Sequence, residues 1–230
     1  MLAPAGFEHR IMLRCVVGSR AYGLDRDGSD TDRRGCYLAP ARVHWSLDGA
    51  PPQLVDPDTQ DCYWELEKLV RLALKANPTV LECLSSPIVE HATPLAKELL
   101  GMRDAFWSRL ATASFAGYAD AQFAKLERAR RRDGRIRWTH AMHLVRLLLE
   151  GTALLRDGVL RPRVTEHRDR LLAVRDGEVA WDDVIAWRER LTAGLHRAAA
   201  TSPLPELPDR ARADAFLIRA RRAAADEVTT

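Results

Sequence analysis

The chain has 230 residues, enough for one large domain or two small ones. At 47% hydrophobic and 29% charged residues it has an ordinary globular composition, and a net charge of +3 does not by itself argue for nucleic acid. No run approaches the roughly 18 apolar residues of a membrane span, and the first residues lack the charged-then-apolar order of a signal peptide, so a cytoplasmic protein that does not touch the membrane is expected.

In chain order, His9 to Val17 has the length and apolar content of a buried strand, ended by Gly18-Ser19. Ser19 to Gly23 fits one helical turn, and Asp25 to Ser29 is turn chemistry. Asp30 to Leu38 reads as a second strand broken near Gly35, residues 40–57 as a proline-punctuated loop, and Asp61 to Trp64 as a short third strand. Leu66, Leu69, Val70, Ala73 and Leu74 then fall at helical spacing, in a helix that stops before Asn77-Pro78. Thr79-Val80-Leu81-Glu82 is a capping box that should open the next helix. Further helices are expected over 95–102, 104–132, 139–157, 171–175, 184–200 and 209–226, with a proline-rich linker at 202–208. The fold class expected is α+β: a small mixed sheet with helices over residues 1–90, then an all-helical part over 91–230. The four cysteines (Cys15, Cys36, Cys62, Cys83) have no close pairing and read as small buried hydrophobes in a reducing compartment rather than zinc ligands.

The chemistry concentrates between residues 16 and 32. Gly18-Ser19 after an apolar strand suits a tight turn where backbone and hydroxyl approach a phosphate. Asp30-Thr31-Asp32 on a strand would put two carboxylates on one face. Such a pair repels unless a cation sits between, and a hard, oxygen-preferring divalent ion, most simply Mg²⁺, suits it. A third carboxylate is expected from a neighbouring strand. Asp61, at the head of the third strand, is the best placed, with Glu65 as runner-up or else an exposed first-turn glutamate. Arg20 lies just past the turn, within reach of a triphosphate; Arg33 should point away from the acidic pair, and Tyr22 should pack the turn.

Gly18-Ser19, ten residues, then Asp30-x-Asp32 resembles the nucleotidyltransferase signature of the DNA polymerase beta superfamily. The stretches Gly18 to Leu24, Ser29 to Gly35 and Leu72 to Pro78 with Glu82 are similar to its RNA-repair-pathway (RlaP-type) branch. So, more softly, are His140 to Leu148 and Leu171 to Glu178, the likeness covering roughly residues 10–200. The resemblance implies transfer of a nucleoside monophosphate from an NTP with two Mg²⁺ ions, for which Mn²⁺ could substitute. It makes Asp30, Asp32 and Asp61 the catalytic metal ligands, and Gly18 and Ser19, with Arg20 beside them, the triphosphate contacts.

The helical part must choose the acceptor. Residues 125–137 carry seven cations against two anions, and Arg128, Arg130, Arg131, Arg132, Arg135 and Arg137 are candidate contacts to an RNA backbone. Trp138 beside them reads as a core anchor. His140 and His143, three apart on one helical face, are candidates for a nucleotide pocket. An RNA end is the expected acceptor. The alternatives are a protein AMP-transferase of antitoxin type, with a protein acceptor, and a nucleotide- or RNA-binding protein without catalysis. The sequence leaves the oligomeric state open.

Overall fold

A computed structural model describes residues 8–226. A 3-10 turn leads into β1 (Ile11–Val17), followed by α1 (Gly18–Tyr22), β2 (Asp32–Tyr37), α2 (Ala41–His44), β3 (Gln53–Val55), β4 (Cys62–Glu65), α3 (Leu66–Ala73), α4 (Pro78–Leu84), β5 (Val89–Ala92) and α5 (Pro94–Gly101). A second 3-10 turn, Arg103–Phe106, precedes α6 (Ala111–Asp133), α7 (Trp138–Asp157), α8 (Arg168–Arg175), α9 (Trp181–Ala200) and α10 (Arg210–Asp226). The fold is thus α+β, a mixed sheet with helices followed by a helical region. Among the described residues no helix is long and apolar enough to cross a membrane.

The sheet order is β3-β4-β2-β1-β5. β1 runs antiparallel to both β2 and β5, β2 parallel to β4, and β3 antiparallel to β4. Two of these strands were not expected. β3 lies inside the 40–57 loop, where proline punctuation hides a three-residue pairing. β5 has the polar sequence Val-Glu-His-Ala of an edge strand, with its first three residues exposed. α4 starts at Pro78 rather than at the Thr79 capping box, since proline suits the first helical turn. The expected 104–132 helix divides, with the 3-10 turn first and α6 beginning at Ala111.

Contacts divide the chain into two units. The first takes the described parts of Met1–Lys75 and Pro208–Thr230 together with Thr79–Phe106, and the second takes Ala76–Pro78 and Trp107–Leu207. In the first unit α3 turns Leu66, Leu69, Val70 and Ala73 inward, as its periodicity requires, and Ile11, Tyr37, Ala39, Leu54 and Tyr63 form a buried cluster on the sheet. Cys15, Cys36 and Cys83 are buried among apolar side chains, and burial pushes the Cys36 thiol up, so it stays protonated.

The terminal helix differs from the expectation that placed residues 91–230 together. Ala213, Phe216, Ala220 and Ala224 form a buried stripe on α10, and its arginines reach the first unit: Arg212 to Asp104 at 3.1 Å, Arg219 to Glu98, and Arg221 to Glu67. The proline-rich segment before α10 carries the chain back to the first unit, where the helix meets α2, α3 and the second 3-10 turn, a return that local sequence does not encode. In the second unit α7 is central. Ala141, Met142, Val145, Leu148, Leu154 and Leu155 are buried along it, and it packs on α6, α8 and α9. Arg146 and Glu150 pair within it at 2.6 Å, both side chains 4% exposed.

Candidate active site

β1 runs apolar to Val17, which pairs with Asp32 at the head of β2. Gly18, the next residue, has φ +71°, and a Cβ added there would lie 2.5 Å from Asp32 Oδ2. Only glycine gives both that backbone angle and that approach. The main chain of Gly18 therefore lies directly against the Asp32 carboxylate. Ser19 follows in the half-buried first turn of α1. That short helix is anchored by Tyr22, which is buried and donates its hydroxyl to Glu82 Oε2 of α4 at 2.5 Å. Tyr22 packs the turn, as expected, and Glu82 is its partner.

The connection to β2 is held from α1. Arg20 donates through Nη2 to the Ser29 carbonyl at 2.6 Å and through Nε to the Asp30 carbonyl at 3.3 Å. Arg26 N–H donates to Ser29 Oγ at 2.9 Å. Asp30 lies two residues before β2 begins. Its position is therefore set by these turn bonds and not by strand alternation. Among the described residues neither the Asp30 nor the Asp32 carboxylate has an ion-pair or side-chain hydrogen-bond partner.

Asp61 is placed elsewhere. β2 and β4 are parallel with Arg34 opposite Cys62, so Asp61 is level with Arg33. Side chains alternate between faces, which puts Asp61 with Arg33 and Tyr63, and Asp32 with Arg34 and Cys62 on the other face. The bonding agrees: Tyr63 hydroxyl donates to Asp61 Oδ2 at 3.2 Å. Burial, and then the Asp61 charge, push that hydroxyl up to about 12. Arg14 stacks 5.7 Å above the Tyr63 ring. Between them on β2 is Gly35, where a Cβ would lie 1.8 Å from the Leu13 carbonyl oxygen. Asp61 is 9% exposed, and its Oδ1 is buried without a hydrogen bond. Asp61 thus lies on the sheet face opposite the one that carries Asp32. Among the described residues no group of three or more His, Cys, Asp or Glu is gathered to hold a metal ion.

The flanking residues have defined partners. Arg33 faces away from Asp32, as expected, and forks onto Glu90 of β5 at 2.7 and 3.2 Å. That hydrogen bond raises its pKa further. Arg34 Nη1 donates to the carbonyls of Arg33 and Gln60, at 2.9 and 2.7 Å, bracing a turn in which Gln60 has φ +59°. Glu65 is buried rather than exposed. It caps α3 by accepting from Glu67 N–H at 2.7 Å, and its Oε1 lies 3.1 Å from His44 Nε2. Arg14 and Glu90 were not anticipated. Glu82, read from the sequence as part of a capping box and of the family likeness, instead accepts the Tyr22 hydroxyl bond.

In the helical unit the basic run occupies the end of α6 and the turn into α7. Arg128, Arg130, Arg131, Arg132, Arg135 and Arg137 are all exposed. Arg130 lies 5.7 Å from the Trp181 ring centroid, Arg131 lies 3.5 Å from Glu127, and Arg132 forks onto Asp133 at 2.7 Å. Trp138 meets Trp181 edge-on at 6.0 Å, and Trp181 Nε1 donates to Glu127 Oε1 at 2.9 Å, so Trp138 is a packing residue. His140 is half-buried; burial, then Arg137 and Lys125, lower its pKa and favour the neutral imidazole. His143, also half-buried, lies one turn on.

A mixed sheet whose first strand ends in Gly-Ser against an aspartate heading the second is what the polymerase beta resemblance implies. The family comparison fixes the class. Residues 4–219 match RlaP, the RNA repair pathway DNA polymerase beta family, and the chain belongs to that family. The family points to a DNA polymerase beta-like nucleotidyltransferase in an RNA repair pathway. Bacillus subtilis (strain 168) YcgL, described as an uncharacterized protein, is 36% identical over 98 residues, which cover 41% of this chain and 38% of that protein. No solved structure matches.

Proposed function

We propose that this protein transfers a nucleoside monophosphate from an NTP to an acceptor hydroxyl at the Gly18–Asp32 site, and that the acceptor is an RNA end. One observation carries this reading: the Gly18 main chain lies against Asp32, and neither the Asp32 nor the Asp30 carboxylate pairs with a protein cation among the described residues. Two carboxylates left so, with oxygen-only donors, fit Mg²⁺, which is commonly held by one or two carboxylates plus substrate phosphates. The pair therefore suffices for one ion without Asp61. When bound, the ion would neutralise charge on the triphosphate.

The chain's own residues set the geometry. Gly18, without a Cβ, lets the turn close against the Asp32 carboxylate, and Ser19 would offer a hydroxyl and an amide to a phosphate held there. Arg20 is a positioning residue, because its guanidinium is bound to the carbonyls of Ser29 and Asp30. The acceptor hydroxyl releases its proton to solvent as its oxygen bonds to the α-phosphorus, the bond from that phosphorus to the bridging oxygen breaks, and pyrophosphate leaves. Catalysis rests on positioning and charge neutralisation. The exposed arginines from Arg128 to Arg137 would hold the RNA backbone through its phosphates.

The placement of Asp61 on the other sheet face favours one competing reading, a nucleotide- or RNA-binding protein without catalysis. Incubation of the full chain with each α-³²P NTP, Mg²⁺ and either total RNA or total protein separates these. Label on RNA supports the proposal, label on protein would make the enzyme a protein AMP-transferase, and no label with retained binding would support the non-catalytic reading.

A further inference from the structure

The two most exposed large apolar side chains among the described residues stand two positions apart. Trp45 is 78% exposed and Leu47 wholly so, whereas the next, Leu207, is 65%. Their loop is not a frayed end. Ser46 N–H donates to the Val43 carbonyl at 3.2 Å, Ser46 Oγ to the same carbonyl at 2.7 Å, and Gly49 N–H to the Ser46 carbonyl at 3.2 Å. Two consecutive turns thus hold both side chains outward.

Beside this loop is a pocket of about 390 Å³, with His44 and Ala50 among its lining residues and Lys68, Arg71 and Lys75 at helical spacing. Its two carboxylates have partners of their own. Glu65 caps α3 and faces His44, and Glu67 accepts from Arg71, at 2.6 Å, and from Arg221. Among the described residues Lys68 bonds only the neutral Gln53, at 2.8 Å. Lys75 and the exposed Arg42 have no ion-pair partner among the described residues. Asp48, in the loop, is the one exposed anion of the group. An outward aromatic beside uncompensated cations is the arrangement that binds single-stranded nucleic acid, through base stacking and phosphate contact. An apolar protein partner would instead meet the uncompensated charges of Lys75 and Arg42.

We propose that Trp45 and the Lys68–Lys75 face form a binding surface for single-stranded RNA, with a base stacked on the indole and phosphates passing the lysines. This rests on the reading of RNA as acceptor and adds a contact surface on the sheet unit. β2 carries the chain roughly 17 Å from Asp32 to Tyr37 before this loop begins, so the surface is separate from the carboxylates.

The test is fluorescence anisotropy of a fluorescein-labelled 20-nucleotide oligouridine titrated with the full chain. Trp45→Ala should weaken binding about tenfold, while Trp45→Phe, which keeps a stacking ring, should restore most of it. Lys68→Glu with Lys75→Glu should weaken binding and reduce the slope of log affinity against log salt by about 1.4. Lys75 is exposed and Lys68 half-buried, so the variants should remain folded, as thermal melting would show. Wild-type binding that all three variants retain would overturn this surface and leave the acceptor reading standing. So would a Trp45→Phe variant as weak as alanine. Wild-type protein that binds no RNA would overturn both readings. Loss of a bound protein, and not of RNA, on Trp45→Ala would assign the surface to a protein partner.

Discussion

At the scale of single residues, the site depends on one backbone position. Gly18 combines φ +71° with a close approach to Asp32 Oδ2; the angle disfavours a side chain and the approach excludes one. Gly18→Ala should therefore cost about 1–3 kcal/mol of stability and most of the nucleotide transfer, read by thermal melting and by labelling. Normal activity would mean that the turn does not contact substrate. Asp61 gives a second residue-scale prediction. From its face of the sheet, Asp61→Asn should leave transfer within a few-fold of wild type, while Asp32→Asn abolishes it. Equal losses would show that Asp61 reaches the metal after all. The Gly-Ser and Asp-x-Asp spacing was legible in the sequence because it is short and local. The face occupied by Asp61 was not. It depends on the register of β4 against β2, and that register follows a connection with an unforeseen strand and a left-handed Gln60.

At the scale of elements, helices were read well wherever an apolar stripe repeats, as in α3, α7 and α9. Strands were read poorly where the residues are polar or few, as in β3 and β5. His140 on α7 gives an element-scale prediction. Its pKa lies below the ordinary 6.5, chiefly through burial, so the unfolded chain binds its proton more readily than the folded one. Stability contributed by the neutral imidazole is complete above that ordinary value and is lost as pH falls below it. Melting between pH 7.5 and 5.5 should fall for the wild type and fall less for His140→Gln. Parallel curves would remove His140 from the pH response. Glu67 acts at the opposite end of the scale. Arg221, and then Arg71, hold its carboxyl below its usual range. Its contribution is present above the usual carboxylate pKa and disappears as pH drops through the lowered value.

At the scale of the whole molecule, the return of α10 to the sheet unit was the least legible feature. Its buried stripe was visible as a helix, but nothing local to residues 209–226 names the partner. Phe216 is fully buried on that helix, so Phe216→Ala should destabilise the sheet unit by about 3–5 kcal/mol. A calorimetric scan should show the loss, and a neutral result would contradict the docking of α10. The central claim is that the Asp30–Asp32 pair is a catalytic carboxylate pair in a nucleotidyltransferase, and transfer of label from α-³²P NTP to RNA tests it most directly. The wild type should label RNA in a magnesium-dependent way and Asp30→Asn or Asp32→Asn not at all, each with unchanged melting. Undiminished labelling by either variant would contradict it.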